Sequence, residues 1–132
     1  MIVDQGKVPL LDAQASYLAG CYWALVAGNI TPNYADVWAA FVANEAAWGG
    51  YGRQLVGTMN AAALASSNGK AVAGPVTLPT FLNTTGSPQT FFMWALIDAG
   101  ASKLIAWTNI GATVIPAGSN YVLNPLVTDT QL

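Results

Sequence analysis

The chain has 132 residues, of which 54% are hydrophobic, while four are basic, six are acidic and none is histidine. An ordinary soluble domain is about one quarter charged, so this composition indicates a surface that is partly covered by copies of the chain or by a partner. The four cations lie far apart in the sequence, which argues against a nucleic-acid site. The longest apolar run, residues 17–28, is shorter than the roughly 20 residues that a membrane-spanning helix needs. These features favour a structural protein with no nucleic-acid and no membrane partner.

The first 16 residues predict an extended N-terminal arm. They show neither helical nor strand periodicity, and Gly6 and Pro9 interrupt them. The arm carries five large aliphatic side chains: Ile2, Val3, Val8, Leu10 and Leu11. Because apolar groups of this size are stabilised by burial, we expect them to pack on the domain itself, on a neighbouring subunit or on the structure that carries the protein. Residues 17–132 are then expected to form a single domain.

The apolar run 17–28 predicts a core strand, in which the single cysteine, Cys21, is a small buried hydrophobe. A short helix is predicted near residues 33–43, since Thr31 is placed to cap it and Pro32 fits its first position. Apolar residues recur there at spacings of three or four: Tyr34, Val37, Trp38 and Phe41. We expect this stripe to lie on a sheet.

From residue 48 onward the chain has the pattern of β structure. Short runs rich in β-branched and aromatic residues are separated by Gly, Pro and Asn at intervals of roughly ten residues. They predict a strand near residues 51–56, a hairpin turn at Asn68–Gly69, and an edge or interrupted strand over residues 71–82, which contain two prolines. The expected fold is mainly β, a β-sandwich or jelly roll with one short helix.

The clearest predicted hairpin joins residues 90–97 to residues 104–109. Its first strand is apolar on both faces, so if one face lines the core, the other must be covered by the helix, the arm or another subunit. The second face is formed by Phe92, Trp94 and Leu96. We therefore expect these three residues, together with the five aliphatic residues of the arm, to form an interface with another subunit or with the structure that carries the protein.

Signals for catalysis are weak. Without histidine the chain lacks the usual base of a nucleophilic triad and the commonest metal ligand. The sole glutamate, Glu45, would need Asp36 or Asp98 as the second carboxylate of a glycosidase, at a separation that a sequence does not give. No phosphate loop, cysteine cluster or calcium loop is present in the sequence. We expect no enzyme activity, no cofactor and no metal site.

Two further features have structural interpretations. The patterns Asn29–Thr31 and Asn83–Thr85 satisfy the glycosylation motif, but we interpret them as turn and cap residues. Trp48, beside two glycines, is expected to be a surface aromatic residue.

Five segments in chain order resemble a family of small virion proteins encoded among the head genes of tailed bacteriophages. They are the arm through Leu10–Asp12, Asn29–Pro32, the helix ending at Phe41, Gly50–Arg53, and the hairpin ending at Leu104–Trp107. The resemblance implies a β-sandwich or jelly-roll capsid cement (decoration) protein, located on the capsid surface, that forms a homotrimer and binds the major capsid protein lattice. This chain departs from the family pattern in having fewer charges.

The alternative is a fibre or tail module that binds a host receptor, which is also trimeric and rich in β structure. Copy number separates the two functions, because a cement protein is present in many copies per virion and a fibre in few. A secreted lectin-like adhesin would need an export signal, and the sequence around Met1–Leu10 has an acidic residue before its first basic one.

Overall fold

The computed structural model describes residues 16–33, 35–61, 72–125 and 127–128. Residues 16–18 form a helical turn, and helix α1 spans Trp38–Asn44. The strands are β1 (Tyr22–Val26), β2 (Gln54–Leu55), β3 (Met59–Ala61), β4 (Val72–Pro75), β5 (Thr80–Leu82), β6 (Gln89–Asp98), β7 (Lys103–Ile115), β8 (Asn120–Val122) and β9 (Val127–Thr128).

The main sheet is antiparallel and has the strand order β2-β1-β6-β7. Strand β1 pairs with β6 along its whole length, with Trp23 opposite Leu96 and Leu25 opposite Trp94. Strands β6 and β7 form the predicted hairpin, with longer arms than the sequence indicated. Strand β1 also confirms the prediction of a core strand within residues 17–28, since four of its five residues are buried.

Both faces of this sheet are covered within the chain. One face packs against β5 and β8 through a cluster that includes Leu18, Trp23, Leu25, Phe81, Phe91, Trp94, Leu96 and Ile115. The other face packs against α1 through a second cluster of buried residues: Ala24, Val26, Phe41, Met93, Ala95, Ile97 and Trp107. Burial of one large apolar side chain contributes about 1.5–3 kcal/mol, and strands β1 and β6 contribute such side chains to both clusters. They are the centre of the fold.

Trp94 and Leu96 lie in this core, with exposed fractions of 5% and 0%, and not on a face that another subunit covers, as the interface prediction required. The pairing of β6 with β7 shifts register between Phe91 and Met93. This irregularity places Phe91 in the same cluster as Trp94 and Leu96, against the strict alternation assumed from the sequence. Helix α1 covers the opposite face of β6, so the chain itself covers both faces of this apolar strand.

Helix α1 begins at Trp38, five residues later than predicted, because polar side chains fold the preceding residues into a turn. The backbone N–H of Asn33 donates to Asp36 Oδ2 at 2.7 Å, and that of Ala35 donates to Asn33 Oδ1 at 2.8 Å. Such local bonds compete with helical ones. Thr31 therefore does not cap the helix; the N-cap is Val37, whose side chain makes no capping hydrogen bond.

Two smaller antiparallel sheets complete the β structure, with strand orders β3-β4-β9 and β5-β8. The interrupted strand predicted over residues 71–82 is confirmed, since β4 ends at Pro75 and β5 starts directly after Pro79. Proline has no N–H to donate to a ladder, which explains the break. The predicted turn at Asn68–Gly69 lies outside the described residues.

Asn83, with 1% of its surface exposed, joins the start of β6 to the end of β7. Its Nδ2 donates to the carbonyl oxygens of Ser87 at 2.9 Å and Ile115 at 3.0 Å. Its Oδ1 accepts from the backbone N–H of Thr85 at 3.0 Å and from the Thr85 hydroxyl at 2.6 Å. A buried amide with these partners is a turn residue, as the sequence predicted for this motif.

The protein is mainly β, with antiparallel sheets arranged as a β-sandwich and little helix, which confirms the predicted fold class. In the part of the chain that the structure describes, no helix has the length and apolar character needed to cross a membrane.

Replacement of Trp94 by Asp should unfold the domain. The ring of Trp94 packs edge-to-face on Trp23 at 5.5 Å, so the variant loses a core aromatic and buries an unpaired charge. We expect the free energy of unfolding to fall by about 4 kcal/mol or more, measured by urea denaturation. Val42→Asp is the matched control, since Val42 is 50% exposed on α1, and it should change stability by about 1 kcal/mol or less. Equal effects of the two variants would contradict the burial of Trp94.

Candidate interaction surface

Of the eight residues predicted to form an interface, three lie in the described part of the chain, and these three do not form one exposed surface. The five arm residues, Ile2, Val3, Val8, Leu10 and Leu11, lie outside the described residues. Phe92 is half-buried and packs against the cluster under α1, while Trp94 and Leu96 belong to the core. A candidate surface must therefore be sought elsewhere on the described part of the protein.

A groove of about 380 Å³ lies between the segment 54–58 and the segment 76–80. Backbone hydrogen bonds hold both walls. Val56 and Gly57 donate to the carbonyl oxygens of Cys21 at 2.9 Å and Ala19 at 3.2 Å, which fixes the first wall to the main sheet. On the second wall, Val76 donates to the carbonyl oxygen of Thr58 at 2.9 Å. The groove is therefore a preformed feature of the fold.

Gly57 shapes the first wall. Its φ angle of 64° lies in the left-handed region, which glycine adopts with little strain and residues with a side chain rarely adopt. This conformation turns the chain from β2 towards β3 and shapes the wall that faces segment 76–80.

The groove is lined by three aliphatic side chains that remain substantially exposed: Leu55 at 58%, Val76 at 55% and Leu78 at 39%. None of the ten described residues that line it carries a charge. Contact with an apolar partner would thus remove aliphatic surface from water without desolvating an ion, which is the favourable case for association. We regard this groove as the candidate interaction site.

The outer face of the β5–β8 sheet continues this apolar surface. Thr80, which lines the groove, pairs with Val122 across the sheet. Leu82 and Val122 are 46% and 51% exposed, whereas Phe81, between Thr80 and Leu82 in β5, is buried in the core. The two strands alternate between a buried and an exposed apolar face, and the exposed face adjoins the groove.

Sequence reasoning missed the groove because its aliphatic residues belong to short segments. Leu55 lies in a strand of two residues, and Val76 and Leu78 lie between Pro75 and Pro79. The available signal was the aliphatic character of a segment interrupted by prolines, since such a segment is poorly suited to a core strand.

Three carboxylates were considered for a catalytic pair, those of Glu45, Asp36 and Asp98. Each accepts hydrogen bonds from different residues. Glu45 accepts hydrogen bonds from Arg53 Nε and Nη2 and from the Tyr51 hydroxyl, each at 2.8 Å. Asp36 Oδ2 accepts from Trp107 Nε1 at 3.1 Å. The carboxylate of Asp98 accepts from the Tyr17 hydroxyl. These contacts give each carboxylate a structural role in the fold.

The Glu45–Arg53 pair ties α1 to the main sheet. The Arg53 guanidinium lies 5.3 Å from the ring centre of Trp38 and 5.5 Å from that of Phe41, both on α1, in cation–π geometry. The hydrogen bonds to Glu45 raise the pKa of Arg53 further above its ordinary value. Burial, followed by the charge and hydrogen bond of Glu45, raises the pKa of Tyr51 well above its usual range. Arg53 therefore stays charged, and Tyr51 neutral, at physiological pH.

Trp48 is half-buried and not a free surface aromatic. Its Nε1 donates to the carbonyl oxygen of Leu82 at 2.9 Å, and its ring packs edge-to-face on Tyr51 at 5.5 Å. Trp48 thus connects the β5 strand to the Glu45–Arg53 cluster.

Among the described residues, no group of three or more His, Cys, Asp or Glu side chains is arranged to hold a metal ion. Cys21 is buried, and burial raises the pKa of its thiol, which disfavours the nucleophilic thiolate. Comparisons with protein-family models, with curated proteins and with solved structures find no match for this chain.

The Glu45–Arg53 pair should stabilise the fold measurably. Arg53→Met removes the partner of a largely buried carboxylate, and we expect a loss of roughly 1–3 kcal/mol in the free energy of unfolding. A double-mutant cycle with Glu45→Gln, followed by urea denaturation, measures the coupling. Arg53→Lys is the control, because it keeps the charge but loses the bidentate hydrogen bonding. Its loss in the free energy of unfolding should lie between zero and that of Arg53→Met. Additive effects of the two single variants would show that the pair contributes no coupling energy.

The Tyr17–Asp98 hydrogen bond should make stability depend on pH at both extremes. It raises the pKa of Tyr17 to about 12 and lowers the pKa of Asp98 below its ordinary 3.8. A raised tyrosine pKa contributes stability below about pH 10 that is lost as the pH rises towards 12, and a lowered aspartate pKa contributes stability above about pH 4 that is lost in acid.

The measurement compares wild type with Tyr17→Phe in urea over this pH range. The difference in stability should be constant from about pH 5 to pH 9 and shrink outside it. In an Asp98→Asn background, the effect of Tyr17→Phe on stability should lose this pH dependence. A difference that is flat through pH 12 and pH 3 would rule out the interaction.

Proposed function

We propose that this chain is a structural virion protein of a tailed bacteriophage, a capsid cement protein that forms a homotrimer and binds the major capsid protein lattice at the capsid surface. The proposal starts from the sequence resemblance to small head proteins. The observation that carries it further is the apolar surface around the groove.

This surface carries several of the exposed aliphatic side chains of the described residues. Large hydrophobic residues in the described part of the chain that are at least 39% exposed are Tyr17, Val37, Val42, Leu55, Val76, Leu78, Leu82, Ile110, Val114 and Val122. Leu55, Val76, Leu78, Leu82 and Val122 surround the groove and the outer face of β5–β8. Contiguous apolar surface of this kind is typical of protein–protein interfaces.

The charges of the described residues support the same proposal. Glu45 and Arg53 neutralise each other, and Asp36 and Asp98 bind side chains of the same chain. Few ions remain to hold water at the surface, and a protein covered by its partner has least need of them. Each square ångström of apolar surface that is covered contributes about 25 cal/mol, and many copies on one shell multiply modest single contacts.

A rigid body suits this role. The two apolar clusters, the Asn83 hydrogen bonds and the Glu45–Arg53 pair fix the loops that surround the exposed surface. A protein that joins neighbouring capsid subunits must resist deformation. A preformed surface also loses less conformational entropy when it binds its partner.

The proposal predicts self-association and high copy number. Light scattering of the purified protein should give the mass of a trimer at micromolar concentration. Quantitative gels of virions that contain the protein should give on the order of hundreds of copies per particle, as multivalent attachment to a shell requires.

Three outcomes would contradict all or part of the proposal. A copy number of a dozen or fewer would favour the alternative, a receptor-binding fibre or tail module. Absence of the protein from purified virions would refute both functions. A monomer in light scattering would remove the trimer from the proposal.

A further inference from the structure

The start of the described chain lies beside the groove. Ala19 accepts a hydrogen bond from the backbone of Gly57, a residue of the groove wall, at 3.2 Å. Fifteen residues precede Ser16, and an extended segment of this length spans up to about 50 Å. A segment of this length can extend well beyond its own domain.

The chemistry of the arm matches that of the groove. Five of its first eleven residues are large aliphatics, and Leu10 and Leu11 adjoin the domain most closely in the sequence. The groove presents exposed Leu55, Val76 and Leu78 with no charge among its described lining residues. In the described part of the chain, β2 is also an edge strand of the main sheet, and an edge offers its backbone to an added strand.

The helical turn that follows the arm is held by contacts to two strands of the main sheet. The Tyr17 hydroxyl bonds to Asp98 at the end of β6, whereas Ala19 bonds to Gly57 beyond the end of β2. Strand β1 lies between β2 and β6 in the sheet. These contacts fix the point at which the arm joins the domain, at the end of the sheet where β1 begins.

We propose that the groove between Leu55 and Leu78 binds the N-terminal arm of a second copy of this chain, with Leu10 or Leu11 against Leu78. Each copy then gives an arm to one neighbour and receives an arm from another. Such a head-to-tail contact closes into a ring when the rotation allows it, and three copies give a trimer. The inference rests on the proposed self-association and names the surfaces that mediate it.

Disulfide trapping between two different copies tests this arrangement. Chains with Leu10→Cys are mixed with chains with Leu78→Cys, both in a Cys21→Ala background, and oxidised under mild conditions. Because each chain has one thiol, a disulfide between the two variants joins two copies. Leu11→Cys is used in parallel, since neighbouring residues of an extended segment point to opposite sides.

We expect the mixed disulfide with one of the two arm positions at a yield several-fold above that of a matched control, in which Val42→Cys replaces Leu78→Cys. Val42 is similarly exposed but lies on α1. Leu78→Asp, without any added cysteine, should weaken self-association by at least about tenfold, because the arm would have to cover a charge.

Other outcomes overturn the inference. A yield no higher than the Val42 control excludes the groove as the arm site. A chain with both Leu10→Cys and Leu78→Cys that forms only an internal disulfide shows that the groove binds its own arm. If light scattering still gives a trimer after either of these results, the proposed self-association holds and only the exchange of arms is wrong. If light scattering gives a monomer, the self-association and the exchange of arms are both wrong.

Discussion

The ion pair between Glu45 and Arg53 holds the layers of this protein together. Glu45 follows α1 directly, and Arg53 directly precedes β2, so the pair closes the segment that leads from the helix to the edge of the main sheet. The guanidinium lies against two rings of α1 while Tyr51 shares the carboxylate and stacks on Phe81. One charged contact thus links the helix, the main sheet and β5. The position of the first groove wall depends on this link, because β2 begins at the next residue.

The domain folds with few charged residues because its interior is apolar. Strands β1 and β6 contribute side chains to clusters on both faces, so the middle of the main sheet is buried on both sides. The helix covers one face, and the small β5–β8 sheet covers the other. Many of the large hydrophobic side chains that remain exposed in the described residues lie beside β2 and on the outer face of β5–β8.

The sequence predicted the features that depend on local pattern. The mainly β class, the β6–β7 hairpin and the break between the prolines near β4 follow from residue type and spacing. The start of α1 was missed because Asn33 and Asp36 bond to the local backbone, which a helical pattern does not reveal. The grouping of Phe91 with Trp94 and Leu96 depends on a register shift in β6, and the groove depends on pairing between distant segments. The local periodicity of the sequence predicts neither of these two features.

The pairing of Glu45 with Arg53 has a consequence for the conditions under which an assembly would come apart. Three acidic and two basic side chains lie in the described residues, and the only arginine is already bound within the chain. The described residues that line the groove carry no charge, so screening by salt has little to act on there. Contacts made by this surface should persist at high ionic strength and dissociate in urea, which solvates apolar and peptide groups.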